Sequence, residues 1–95
     1  MEQITQIAET FSGVVRLMVD YPDDVQVSPF KDGEGFVLEI MVSRTDVGKV
    51  IGKMGRTARS LRQILQAVSL THKIPIALDI VDDAPIASAA RTAGR

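Results

Sequence analysis

Between residues 47 and 70 the apolar spacing is helical on both sides of a tetrapeptide, Gly52-Lys53-Met54-Gly55, that interrupts it. Val47, Val50 and Ile51 stand at i, i+3 and i+4, enough for about two helical turns. Gly52 stops that helix as a glycine just past a C-cap does, and Gly55 frees the backbone again. A second helix is predicted from about Arg56 to Leu70. Its buried stripe is Ala58, Leu61, Ile64, Leu65 and Val68, and Arg56, Arg59, Arg62, Gln63 and Gln66 take the other face. The middle of the chain is therefore a helical pair joined by a tight, glycine-bracketed turn.

The flanks supply a sheet and one more helix. Residues 4–18 carry Ile4, Ile7, Ala8, Phe11, Val14, Val15 and Met18 at helical spacing. Gly13 within them reads as a point of close packing, and Tyr21-Pro22 ends the helix. Val25, Val27 and Phe30 predict a short strand, which Pro29 makes an edge strand or terminates. Lys31-Asp32-Gly33-Glu34-Gly35 is a turn by composition. Residues 36–42 form a second strand with Phe36, Leu38, Ile40 and Val42 on one face, and Val37 and Met41 around Glu39 on the other. The two strands read as an antiparallel hairpin with a five-residue loop. Thr45 and Asp46 are both candidate N-caps. After a loop over residues 71–74, Pro75 opens a last strand in which Ile76, Leu78 and Ile80 alternate with Ala77, Asp79 and Val81.

The order helix, strand, strand, helix, helix, strand predicts an α+β domain of two layers, with three helices on one face of a three-stranded mixed sheet. A helical pair between strands two and three makes those strands parallel, with a right-handed crossover. Residues 84–95, rich in Ala, Ser, Thr and Gly, show no periodicity and read as a flexible tail. That leaves residues 1–83 as one domain, as a chain of 95 residues allows.

Composition narrows the chemistry. The formal net charge of −1 argues by itself against a nucleic-acid partner. Divided by position it argues the reverse. Residues 44–73 hold seven bases (Arg44, Lys49, Lys53, Arg56, Arg59, Arg62, Lys73) against the single acid Asp46, a net +6, and the remainder is −7. With no cysteine there is no disulfide, thiol chemistry or Cys-based zinc site. His72 stands alone, so no metal or other cofactor is expected. Ser43, Ser60 and Ser69 have no recognisable base beside them, which leaves nucleophilic catalysis unsupported, and the chain reads as a non-enzyme. Asp82-Asp83 adjoin a strand end, and alternation would point the two opposite ways. No apolar run approaches the ~20 residues of a membrane span. The first residues lack the basic and apolar regions of a signal peptide. A cytoplasmic protein without a small-molecule substrate is expected.

The glycine-bracketed loop leads directly into a helix, whose first-turn amides carry partial positive charge and suit a phosphate. Lys53 and Arg56 add mobile charge, with Lys49 and Arg59 within a turn on either side. Gly52 and Gly55 let a sugar–phosphate backbone approach closely. Met54 either touches a nucleotide or covers apolar surface, and Ile51 divides between the core and a groove. Tyr21 reads as a structural aromatic. At 4% aromatic residues, recognition by base stacking fits poorly.

Val50-Ile51-Gly52-Lys53-Met54-Gly55-Arg56-Thr57, between two short helices and before a last strand, closely resembles the GxxG segment of KH domains, which clamps about four nucleotides of single-stranded nucleic acid. The helix-first order resembles the type II arrangement, in which the second strand would be central. Asp20-Tyr21-Pro22-Asp23-Asp24-Val25 and Asp46-Val47-Gly48-Lys49-Val50-Ile51-Gly52-Lys53 are similar to the family of small bacterial stand-alone KH proteins, the KhpA (YlqC) family. The resemblance covers about residues 3–82 and departs after Asp83. It implies single-stranded RNA held at Gly52, Lys53, Met54, Gly55 and Arg56, with Lys49, Ile51 and Arg59 beside them. It further implies self-association as a homodimer, a KhpB-type partner, and work as an RNA chaperone or regulator linked to cell elongation and division. The rival reading is a KH-fold dimerisation or assembly module in which RNA is secondary. The mixed outer face of strand two, Val37 and Met41, motivates it.

Overall fold

The computed structural model describes residues 2–81, so the tail expected over 84–95 lies outside the described residues, as do Asp82 and Asp83. Helix α1 (Glu2–Arg16) is followed by the hairpin β1 (Gln26–Asp32) and β2 (Gly35–Met41), then α2 (Val47–Ile51), α3 (Arg56–His72) and β3 (Ile76–Ile80). The sheet order is β1-β2-β3. β1 runs antiparallel to β2, and β3 runs parallel to β2 with Leu38 opposite Leu78. The α+β class, the mixed three-stranded sheet and the central second strand are as expected.

One core joins the layers. Ile4, Ala8, Phe11 and Val15 of α1, Leu38 and Ile40 of β2, Val50 of α2, Leu61 and Leu65 of α3, and Leu78 of β3 belong to a single buried cluster. Leu38 and Ile40 are fully inaccessible. Burying a side chain of that size is worth about 1.5–3 kcal/mol, which fixes β2 as the spine of the sheet. Pro29 pairs with Leu38 within β1. The strand runs on past it because β1 is an edge and the missing N–H deprives no neighbour.

Several local expectations are corrected. The hairpin loop is two residues, Gly33-Glu34, with Asp32 opposite Gly35. Gly33 takes φ +61°, the sign that the first central residue of a tight hairpin turn requires. Gly35 belongs to the strand. A Cβ there would lie 2.2 Å from the Pro75 carbonyl oxygen, which accepts the Phe36 amide at 2.8 Å. Gly13 is not a point of close packing, since a Cβ there meets nothing within 4 Å. Helix α1 stops at Arg16, short of Tyr21-Pro22, and Leu17 and Met18 donate back to Val14 and Val15 in a tightened last turn. Helix α3 reaches His72 and ends on Lys73 in the left-handed region, with the Lys73 amide bonded to the Ser69 carbonyl. Val14 and Ile64 were placed in buried stripes but are 41% and 54% exposed. Each lies at the margin of its stripe, beyond the reach of the sheet.

Candidate nucleic-acid interface

The loop is built by three departures from helical backbone within four residues. Gly52 adopts φ +80°, ψ 167°, Met54 φ +57°, ψ 27°, and Gly55 φ +73°, ψ 14°. Gly52 has no substitute at its place. A Cβ would sit 2.2 Å from Thr57 Oγ1 and 2.7 Å from the Thr57 backbone nitrogen. Glycine therefore lets the end of α2 lie against the start of α3. Met54 is 79% exposed and occupies a region that costs a non-glycine residue about 1–2 kcal/mol. Its side chain stands outside the buried core cluster and the residues packed against it. Strain of this kind persists where a surrounding structure imposes it, and it clusters at ligand clamps.

The loop spends its amides unevenly. The Gly52 amide donates to the Gly48 carbonyl at 2.8 Å, and the Gly55 amide to the Gly52 carbonyl at 3.0 Å. The Arg56 amide donates to the Lys53 carbonyl. The expectation that the first amide of α3 is free is thereby corrected. Among the described residues, no turn or cap bond starts from the amides of Lys53 and Met54 at the tip.

The start of α3 is electrostatically inverted. It has no side-chain cap and no acid in its first turn, yet Arg56 and Arg59 stand there. Cations at a helix N-terminus oppose the dipole, each typically by about 0.3–1 kcal/mol at low salt. Arg56, Arg59 and Arg62 form no ion pair among the described residues. Arg59 and Arg62 line, with Ile51, Gly55, Ala58 and Ile80, a groove of about 500 Å³ between the loop, α3 and the free edge of β3. Arg62, on the polar face of α3 by its spacing, stands one turn beyond Arg59 on that face, which is the signal that marks it as a wall of this groove.

Lys49 is placed otherwise. Its amine lies 3.2 Å from an Asp20 carboxylate oxygen and 3.8 Å from one of Asp46. Asp46 is fully buried and caps nothing with its side chain. Its two oxygens accept the backbone amides of Asp20 (3.1 Å) and Tyr21 (3.0 Å), fastening the connection after α1 to the start of α2. The Tyr21 ring, read as structural, is 55% exposed, and its anchoring is through the backbone. His72 bonds Gln3 at 3.2 Å. Among the described residues no group of three or more His, Cys, Asp or Glu could hold a metal ion, and no helix is long and apolar enough to cross a membrane.

Comparison with known proteins matches residues 8–80 to the family model described as KhpA/KhpB, KH domain. The chain is 45% identical over 69 residues to the RNA-binding protein KhpA of Halalkalibacterium halodurans, covering 73% of this chain and 91% of the relative. It is 40% identical over 77 residues to the protein of the same name from Leifsonia xyli, covering 81% and 99%. The Treponema pallidum protein of that name is 41% identical over 80 residues, covering 83% and 99%. No solved structure matches significantly.

Proposed function

This chain belongs to the KhpA/KhpB KH-domain family, and on that premise we propose that it is a non-enzymatic module that holds single-stranded RNA by its sugar–phosphate backbone. The observation that carries the reading is the start of α3. It offers two amides, at Lys53 and Met54, that enter no turn or cap bond among the described residues, and a helix N-terminus crowded with cations, an arrangement that costs stability until an anion sits in it. Gly52 and Gly55 form the cradle, Lys53, Arg56 and Arg59 supply charge, Met54 covers the strand, and Ile51 and Arg62 line the groove for bases. Lys49, committed to Asp20 and Asp46, serves the fold in this reading. The chain works as a small RNA chaperone or regulator in the cytoplasm, in the setting of cell elongation and division. A KhpB-type protein or a second copy adds a second site through effective concentration.

Arg56→Glu separates this role from an ordinary exposed helix face. RNA affinity is expected to fall about tenfold through loss of a phosphate contact. Stability is expected to rise by about 0.3–1 kcal/mol at low salt, because a carboxylate suits the helix N-terminus. Fluorescence anisotropy with a labelled oligonucleotide and a urea melt read the two changes. Unchanged affinity in a stabilised variant counts against the assignment.

A second reading, assembly through this fold, is favoured by a different place. Val14 and Ile64 line one groove between α1 and α3 with Ile7 and Val68. Among the described residues no Asp, Glu, Lys or Arg lines it and His72 is its one titratable side chain, so with that imidazole neutral a second copy can bring the same face up without like charges meeting. Ile64→Glu is expected to yield monomers by light scattering, and an unchanged mass rules that face out.

A further inference from the structure

We propose that the RNA path runs on from the loop into a second groove at the opposite end of β3, where Phe36 and Leu70 receive bases beyond those the loop holds. The inference rests on the RNA reading above and extends the footprint of that same site.

The seam between α3 and β3 carries it. The groove beside the loop is walled by Arg59 and Arg62 of α3 and by Ile80 at the end of β3. A second groove, also of about 500 Å³, is walled by Arg62, Gln66 and Leu70 of α3, by Ile76 at the start of β3, and by Phe36. Arg62 belongs to both, so the two grooves meet at one cation. That cation forms no ion pair among the described residues. From Arg59 to Leu70 the helix advances about 16 Å, at about 1.5 Å per residue. A strand leaving the loop along this seam therefore finds a continuous wall. The opposite wall is β3, which pairs with β2 alone among the described strands. Its other edge presents backbone N–H and C=O groups with no partner strand.

The second groove supplies what the first lacks. No aromatic side chain of the described residues lines the first, whereas Phe36 lines the second, half-buried against the core. The Lys31 amine lies 5.7 Å from the centre of the Phe36 ring and forms no ion pair among the described residues. Leu70 is 74% exposed. A ring, an open apolar side chain and a nearby cation suit a base and its backbone, and stacking of that kind tolerates any sequence. Asp32 is the one acid on the wall. It turns phosphates away from that end and leaves them on the Arg62 side.

Fluorescence anisotropy on the full chain, with labelled RNAs of four and eight nucleotides, tests it. The parent is expected to bind the eight-mer about thirtyfold more tightly, beyond the roughly fivefold that sliding a four-nucleotide grip along the longer strand allows. Gln66→Glu with Leu70→Glu is expected to weaken the eight-mer about tenfold and the four-mer less than twofold. Both side chains are exposed, so the fold has little to lose. An equal change at both lengths, or none at either, overturns the second groove and leaves the RNA reading standing. A parent that binds neither RNA overturns both. NMR on the parent adds a readout independent of the variant. The Phe36 ring resonances are expected to shift with the eight-mer and not with the four-mer. Resonances that stay unmoved by the eight-mer overturn the inference. Shifts that follow protein concentration instead also overturn it, by placing a second copy in the groove.

Discussion

Lys53→Asp combined with Met54→Asp is expected to lower affinity for single-stranded RNA at least a hundredfold while the melting temperature stays within a few degrees of the parent. Both side chains stand at the tip of the loop, and neither belongs to the core. The pair of substitutions replaces one cation and one neutral group with two anions where a phosphate would sit. Coulomb repulsion and the loss of a counterion-releasing contact act together. The fold has little to lose. Met54 already occupies the left-handed region at φ +57°, and aspartate is several-fold enriched there. Circular dichroism melts and anisotropy titrations on one sample read both quantities. A folded variant that still takes up RNA at parental affinity would falsify the assignment of the loop.

The second large effect is on stability. Asp46→Ala is expected to destabilise the fold by roughly 2–4 kcal/mol, because one truncation strands two backbone amides and leaves a lysine without its buried acid. The amides of Asp20 and Tyr21 lose their acceptor, and Lys49 keeps only Asp20, whose side chain is largely exposed. The connection after α1 then loses both backbone bonds to Asp46 and keeps only the exposed Lys49–Asp20 ion pair of those three fastenings. Asp46→Asn retains one acceptor oxygen and is expected to recover part of the loss. Urea unfolding of the three proteins orders them parent, Asn, Ala. A parental midpoint for Asp46→Ala would show that the carboxylate does not hold that connection.

The helical pair and its loop were legible because glycine and apolar spacing are local signals. The apolar stripe needed only residues 47–65, and a glycine that stops a helix announces itself. Asp46 was not legible in the same way. An aspartate just before a helix reads as an N-cap, whereas its partners lie at Asp20 and Tyr21, brought there by the whole fold. The partners of Lys49 were hidden for the same reason, since Asp20 and Asp46 come beside it only in the fold. Gly35 reads as part of a turn because its reason for being glycine, the Pro75 carbonyl, sits just before β3, forty residues away in sequence. Val14 and Ile64 were counted as core because periodicity gives the direction of a stripe and not how wide a neighbour covers it. The inverted charge at the start of α3 was visible in the sequence as Arg56 and Arg59. Its meaning needed the helix boundary and the missing cap.

The central claim is that an uncommitted cationic loop and helix start hold the RNA backbone. The salt dependence of binding tests it most directly. With two or three phosphates engaged per site, log affinity for a single-stranded oligonucleotide is expected to fall against log salt with a slope of about −1.4 to −2. A slope near zero, with the oligonucleotide still bound, would contradict it.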